Sequence, residues 1–241
     1  MRKTRIYQQG DFKVKDLVTL DNFAAHHLAV VLRARIKDEI YLFPGNGYEY
    51  LATIWEINKK TVIVHIDKEL KKSLESPLAI HLGQAICKSD KMDWILQKAT
   101  ELGVCEFTPI IADRSQGFNA KMAEKKLKHW KNIIIHATEQ SGRTILPKLN
   151  QPISLLSLVQ KVQAKAKLLL TQDAELTFKT IPRLDKDISF LVGPEGGWSN
   201  DELRISTEQG FKKVKLGPRI LRTETAPLAS LAILQFMAGD L

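Results

Sequence analysis

The sequence is short of several things, and each shortage excludes a class. Only two cysteines, Cys87 and Cys105, occur in 241 residues. Two thiols make neither a disulfide framework nor, alone, a zinc site, and the expected compartment is the reducing cytoplasm. No apolar run approaches the roughly 18 residues of a membrane span. The opening stretch, MRKTRIYQQGDFKVK, has basic residues but no apolar core behind them, so it does not read as a secretory signal. Internal repeats and low-complexity segments are lacking. So are the P-loop and Rossmann glycine signatures and the nucleophile elbow of serine hydrolases. The histidines organise no metal site. His26 and His27 are adjacent and cannot face one way on a helix, His81 falls in a strand, and His129 and His136 lie seven apart with no carboxylate completing a pattern. No metal and no membrane partner are expected.

What remains is an ordinary globular composition with a positive balance. Hydrophobic residues make up 44% and charged residues 26%, against disorder over most of the length. The formal net charge is +9. Such a balance favours a polyanionic partner, most often nucleic acid, although mild basicity also occurs without one. The excess is spread along the chain and forms no basic tail.

The rhythm changes near residue 75. Before it, short strands are expected at 4–7, 17–20, 39–43, 48–57 and 61–66, with one helix at 22–33. Phe43-Pro44-Gly45-Asn46-Gly47 is a strong turn signal. Closely spaced short strands suggest a small β-barrel. Lys68 to Ser76 is polar and precedes Pro77, so the boundary is placed there, giving domains 1–74 and 75–241. After it, strands are expected at 78–86, 104–111, 167–171, 188–192 and 211–216. Helices are expected at 90–102, 120–140, after Ser199, and at 224–238. Met92, Ile95, Leu96, Ala99 and Leu102 fall at helical spacing before Gly103. Strands alternating with helices imply an α/β layer with a parallel sheet.

Two loops carry the chemistry. The first, Gly193-Pro194-Glu195-Gly196-Gly197, follows a buried strand and precedes a helix capped by Ser199 with Glu202 at capping-box spacing. Glycine-rich loops at carboxyl ends of strands are the ligand position of open α/β sheets. Glu195 would repel a phosphate, so a ligand with cationic groups, or one held through ribose hydroxyls, fits better. A tight turn with no ligand is the plainer alternative. The second loop, Leu216 to Ala226, follows the next strand and in a parallel sheet emerges on the same edge. It places Arg219, Arg222, Thr223, Glu224 and Thr225 at the mouth of an apolar helix, where polar groups need partners. A third segment, Glu139-Gln140-Ser141-Gly142-Arg143, ends the long helix. That helix carries Lys121, Lys125, Lys126, Lys128 and Lys131, either an RNA-facing stripe or a solvated face.

VGPEGG at 192–197, LGPRILRTETA at 216–226, EQSGR at 139–143, KMDWILQKATELGV at 91–104 and TRIY at 4–7 resemble the RsmE-type methyltransferases of the SPOUT superfamily. The likeness spans essentially the whole chain. Trp198 stands where Phe or Leu is common, and Thr144-Ile145-Leu146 varies the segment after EQSGR. The resemblance implies an α+β two-domain chain: an N-terminal PUA-like β-barrel that helps bind RNA, and a C-terminal α/β SPOUT domain with a trefoil knot. It implies S-adenosylmethionine as cofactor, a homodimer, and methylation of uridine N3 in the decoding region, near the 3′ end of 16S ribosomal RNA. The assembled small ribosomal subunit would be the substrate. Carried over by position, Leu170, Thr171, Gly193, Pro194, Glu195, Gly196, Gly197, Leu216, Gly217, Ile220, Leu221, Arg222, Thr223, Thr225 and Ala226 would line the cofactor cradle.

Uridine N3 is a poor nucleophile until its imide proton leaves. A positive group near O2 or O4 would favour the anion, with Arg222 the first candidate and Arg143 the second. Glu139 or Glu224 would accept the proton. Arg5, Lys121, Lys125 and Lys128 are the candidate RNA contacts. Two competing readings are an RNA-binding module without chemistry, and a SPOUT enzyme that modifies ribose hydroxyls or other bases in transfer RNA.

Overall fold

A computed structural model describes residues 4–58, 61–71, 73–115, 123–181 and 184–241. Contacts divide the chain into two units, Met1–Glu75 with Thr138–Leu146, and Ser76–Ala137 with Pro147–Leu241.

The first unit is a five-stranded sheet. Its strands are β1 (Thr4–Tyr7), β2 (Leu17–Thr19), β3 (Glu39–Phe43), β4 (Glu49–Ile57) and β5 (Val62–Leu70), in the spatial order β1-β3-β4-β5-β2. The β1–β3 pair is parallel and the others antiparallel. Alternation sets the inner face: Val62, Val64 and Ile66 of β5 are fully buried, with Ile40, Leu42, Ala52 and Ile54. Among the described residues the ladders join neighbours along this order. β5 runs four residues beyond its apolar pattern because backbone pairing with the long β4 is indifferent to side chains. Helix α1 (Asn22–His26) starts where Asp21 caps the amides of Phe23 and Ala24, then widens into a π-helical turn at His27–Val31. It stops short of residue 33 because Arg33 adopts φ +52°, which no right-handed helix accommodates.

The segment Thr138–Leu146 joins this unit through contacts no local pattern announces. The Gly47 amide donates to the Thr144 carbonyl at 3.0 Å, and the Leu146 amide donates to the Gly45 carbonyl at 3.0 Å. The Gly45–Gly47 turn is thus both a hairpin end and a docking edge. Gly45 and Gly47 hold φ of +85° and +101°, conformations that glycine adopts without strain.

The second unit is an eight-stranded sheet in which every ladder is parallel. Its elements are β6 (Ala79–Ala85), α2 (Ser89–Glu101), β7 (Glu106–Ile111), α3 (Ala123–Ser141, whose last residues belong to the first unit), β8 (Lys148–Leu149), β9 (Ile153–Ser154), α4 (Leu155–Lys161), β10 (Ala166–Leu170), β11 (Leu176–Thr177), β12 (Asp187–Val192), α5 (Asn200–Glu208), β13 (Lys212–Lys215) and α6 (Thr225–Ala238). The order is β11-β13-β10-β12-β6-β7-β8, with β9 also on β7. Central strands are apolar on both faces, as a covered parallel sheet requires: Ile80, Leu82, Ile188, Phe190 and Leu191 are fully buried. The sequence reading lacked α4 and the two-residue strands β8, β9 and β11, which are too short to set up a period.

Candidate active site

β13, β10 and β12 are neighbours in the sheet and run the same way, with Leu170 of β10 in register with Val192 of β12 and Val214 of β13. Their carboxyl ends therefore deliver three loops to one edge. The loops enclose a cavity of about 640 Å³, within the range of small-molecule sites. Of the fifteen positions expected to line it, Leu170, Thr171, Gly193, Pro194, Glu195, Gly197, Leu216, Ile220, Leu221, Arg222, Thr223 and Ala226 do. Gly196, Gly217 and Thr225 lie outside the wall. Lys91, Gln172, Asp173, Val192, Trp198, Asn200 and Leu203 complete it and were not anticipated as wall residues.

The loops are braced by specific bonds. Trp198 is buried and its Nε1–H donates to the Leu170 carbonyl at 3.1 Å. Its indole lies against Gly193, where a Cβ would come within 3.1–3.3 Å of the ring. Gly193 is thus required for close approach, whereas Gly197 is required for backbone direction, with φ +71°. Gly196 turns its carbonyl to Arg114 Nη1 at 2.8 Å. Thr223 Oγ1 donates to the Gly193 carbonyl at 3.0 Å and so links the second loop to the first. The capping box forms as its spacing predicts: Ser199 accepts from the Glu202 amide, and Glu202 accepts from the Ser199 amide at 2.8 Å.

The electrostatics differ from a bare acidic loop. Lys91 Nζ stands 3.2 Å from Glu195 Oε1 and 3.4 Å from Glu224 Oε2. The hydrogen bond to Glu195, the largest effect, raises the Lys91 ammonium above its ordinary range; burial opposes it, and Glu224 adds to the rise. Lys91 between the two carboxylates, with Arg222 4.0 Å from Glu224, offsets the acidic charge of this corner.

Models of known families match both parts of the chain. An RNA methyltransferase domain matches residues 74–235, and an RNA methyltransferase PUA domain matches residues 20–67. Ribosomal RNA small subunit methyltransferase E of Buchnera aphidicola (subsp. Schizaphis graminum) is 36% identical over 100% of this chain and 98% of its own. The chain belongs to the ribosomal RNA small subunit methyltransferase E family. Two solved structures are similar throughout. A putative methyltransferase from Legionella pneumophila, in complex with bound SAM, is 41% identical with a TM-score of 0.97, over 100% of both chains. A ribosomal RNA small subunit methyltransferase E from Neisseria gonorrhoeae, bound to S-adenosylmethionine, is 37% identical with a TM-score of 0.96, over 99% of both.

Within this family member, the remaining expected residues sort by what they touch. Arg222 lines the cavity and its side chain is 83% exposed, free to meet a substrate. Glu224 lies behind it, bound to Lys91. Arg143 is 5% exposed and gives Nε and Nη2 to Glu75 Oε2, both at 2.8 Å. Glu139 accepts the Tyr7 amide at 2.9 Å. These last two act as braces of the first unit, which counts against roles at the uracil.

Arg5 is corrected more sharply. Its side chain is 7% exposed and pairs with buried Glu49. It also donates to the carbonyls of Thr138, Glu139 and Arg143 at 2.9–3.1 Å and stacks over Phe43. With its donors spent inside the protein, it has none to offer RNA. Lys125 and Lys128 are exposed on α3, and Lys121 lies outside the described residues. Among the wall residues missed, Lys91 carried a signal. It is a cation in the first turn of a helix, where the dipole disfavours one.

Proposed function

We propose that this chain uses S-adenosylmethionine to methylate N3 of a uridine in 16S ribosomal RNA, in the decoding region near the 3′ end of the assembled small subunit. The observation that carries the reading is the braced cavity at the carboxyl ends of β10, β12 and β13, in a family member whose similar structures from Legionella and Neisseria hold that cofactor. The residues fit such a ligand. Apolar Leu170, Leu216, Ile220 and Leu221 suit an adenine face, glycine backbone suits close packing, and the Asp173 and Glu195 carboxylates on the wall suit a cationic group. When bound, the sulfonium supplies an activated methyl group for in-line displacement.

The protein's part is orientation and electrostatics. Arg222 faces the target base and stabilises negative charge at O2 or O4 as the imide proton passes to solvent. Glu224 Oε1, 4.0 Å from Arg222 Nη1, orients that guanidinium. The target base must leave any stack or pair to present N3. Exposed Lys125 and Lys128 would meet phosphates, and the positive balance favours the approach.

The reading extends to architecture. The five-stranded sheet closes as a PUA-like barrel, and the second unit carries a trefoil knot, a path favoured by insertion of the last strand, β13, between β11 and β10. The active form is a homodimer, consistent with exposed Ile220, Phe236 and Met237. Work in the cytoplasm follows from the substrate.

The test is tritium transfer from labelled S-adenosylmethionine to small subunits lacking the modification, with free 16S RNA and transfer RNA in parallel. Nucleoside analysis follows. Label in N3-methyluridine from the subunits alone is the expected result. Label in a ribose, another base or transfer RNA would overturn the substrate assignment.

A further inference from the structure

We propose that Lys91 is a positioning residue of the site, whose ammonium ties the two ligand loops together through Glu195 and Glu224. The proposal rests on the methyltransferase reading for its consequence, though not for the tie itself. Three independent features lead to it. First, Lys91 sits in the first turn of α2, beside unpaired helix amides that repel a cation. Helix preference therefore does not explain a lysine there, and two carboxylates on its Nζ do. Second, Glu224 occupies the position before α6, where a carboxylate usually caps its own helix, yet it makes no cap hydrogen bond. It turns to Lys91 instead. Third, the two carboxylates come from different loops, one after β12 and one after β13, and all three side chains are only partly exposed.

An exposed ion pair alone contributes little. Here, removing the shared cation leaves two carboxylates facing the same space with no charge between them. They would repel, and the loops that carry them also carry the cavity wall. The Thr223–Gly193 hydrogen bond remains as a second link, so loss of Lys91 loosens the loops without unfolding the sheet. The expected effect falls on cofactor binding more than on chemistry once the site is filled.

The experiment compares wild type, Lys91→Met, Lys91→Arg, Glu195→Gln and the Lys91→Met/Glu195→Gln double variant. Amide hydrogen exchange of the protein without added cofactor reads the tie directly. In Lys91→Met, amides of 193–197 and 219–224 should exchange about tenfold faster or more, while those of β6 and β12 stay unchanged. Lys91→Arg should restore most of the protection. The double variant should exchange no faster than Lys91→Met, because Glu195→Gln breaks the same interaction and also removes one of the two carboxylates left to repel. Calorimetry with S-adenosylmethionine should show Kd raised about tenfold in Lys91→Met. Single-turnover transfer at saturating cofactor should fall far less.

Unchanged exchange in Lys91→Met, or additive effects in the double variant, would overturn the tie. Failure of the wild type to bind S-adenosylmethionine would instead overturn the methyltransferase reading, and the exchange data would still decide the tie. Should Lys91→Met fail to fold, Glu195→Gln and Glu224→Gln, each removing one arm, give the same exchange readout.

Discussion

The indole of Trp198 donates its Nε1–H to the carbonyl of Leu170 across 3.1 Å, fastening the glycine loop after β12 to the end of β10. Replacing Trp198 with Phe keeps most of the packing against Gly193 but removes that hydrogen bond. Loss of one hydrogen bond of this kind costs about 0.5–1.5 kcal/mol. Urea denaturation should show a loss of that size with an unchanged slope, and cofactor affinity should fall several-fold.

Arg222 should separate chemistry from stability. Its side chain is 83% exposed and makes one long contact, to Glu224. Arg222→Ala should therefore leave the melting temperature within about a degree, as surface changes usually do. Cofactor binding should persist, while turnover on small subunits should drop about 100-fold or more, the scale of losing one charge-stabilising donor. Full activity in this variant would remove Arg222 from the mechanism.

Arg5 should do the opposite. Arg5→Met takes the guanidinium away from the buried Glu49 carboxylate and removes one donor from each of three carbonyls. Breaking a buried pair from one side costs about 3–5 kcal/mol. Calorimetric melting should register the loss chiefly in the first unit, whose Thr138–Leu146 segment hangs on this guanidinium.

His81 makes acid stability testable. Its Nε2 and Nδ1 lie 2.8 Å from Thr108 Oγ1 and 3.2 Å from Ser189 Oγ. Burial, opposed in part by Glu106, holds its pKa below the ordinary 6.5. The unfolded chain then takes up a proton that the folded chain refuses. Stability is full above pH 6.5 and falls as pH drops below it, until the folded pKa is reached. Denaturation midpoints measured from pH 8 to pH 5 should decline in the wild type, and more shallowly in His81→Gln.

Cys87 should be inert. Burial, then the negative charge of Glu195, push its thiol up to about 12. The nucleophilic thiolate is therefore scarce at pH 8. Iodoacetamide at that pH should leave Cys87 unmodified in the native protein by peptide mass spectrometry, and modify it in denaturant.

The sequence by itself determined whatever a local pattern can encode. Alternation in Val62–Ile66 and the apolar runs at 167–171 and 188–192 state their strands, because burial on one face or two leaves a short-range signature. Ser199 and Glu202 state their capping box, and the glycines at 193–197 with Leu216–Ala226 state the cavity loops. Tertiary structure alone decided which distant groups meet. Arg5 reads as a surface arginine until Glu49 and the Thr138–Arg143 carbonyls arrive around it. Arg143 and Glu139 read as catalytic until Glu75 and the Tyr7 amide take them up. Lys91 reads as one more helix lysine until two loops, each more than a hundred residues along the chain, bring carboxylates to it. Such pairings depend on the path of the backbone between them, and no window of neighbouring residues contains that path.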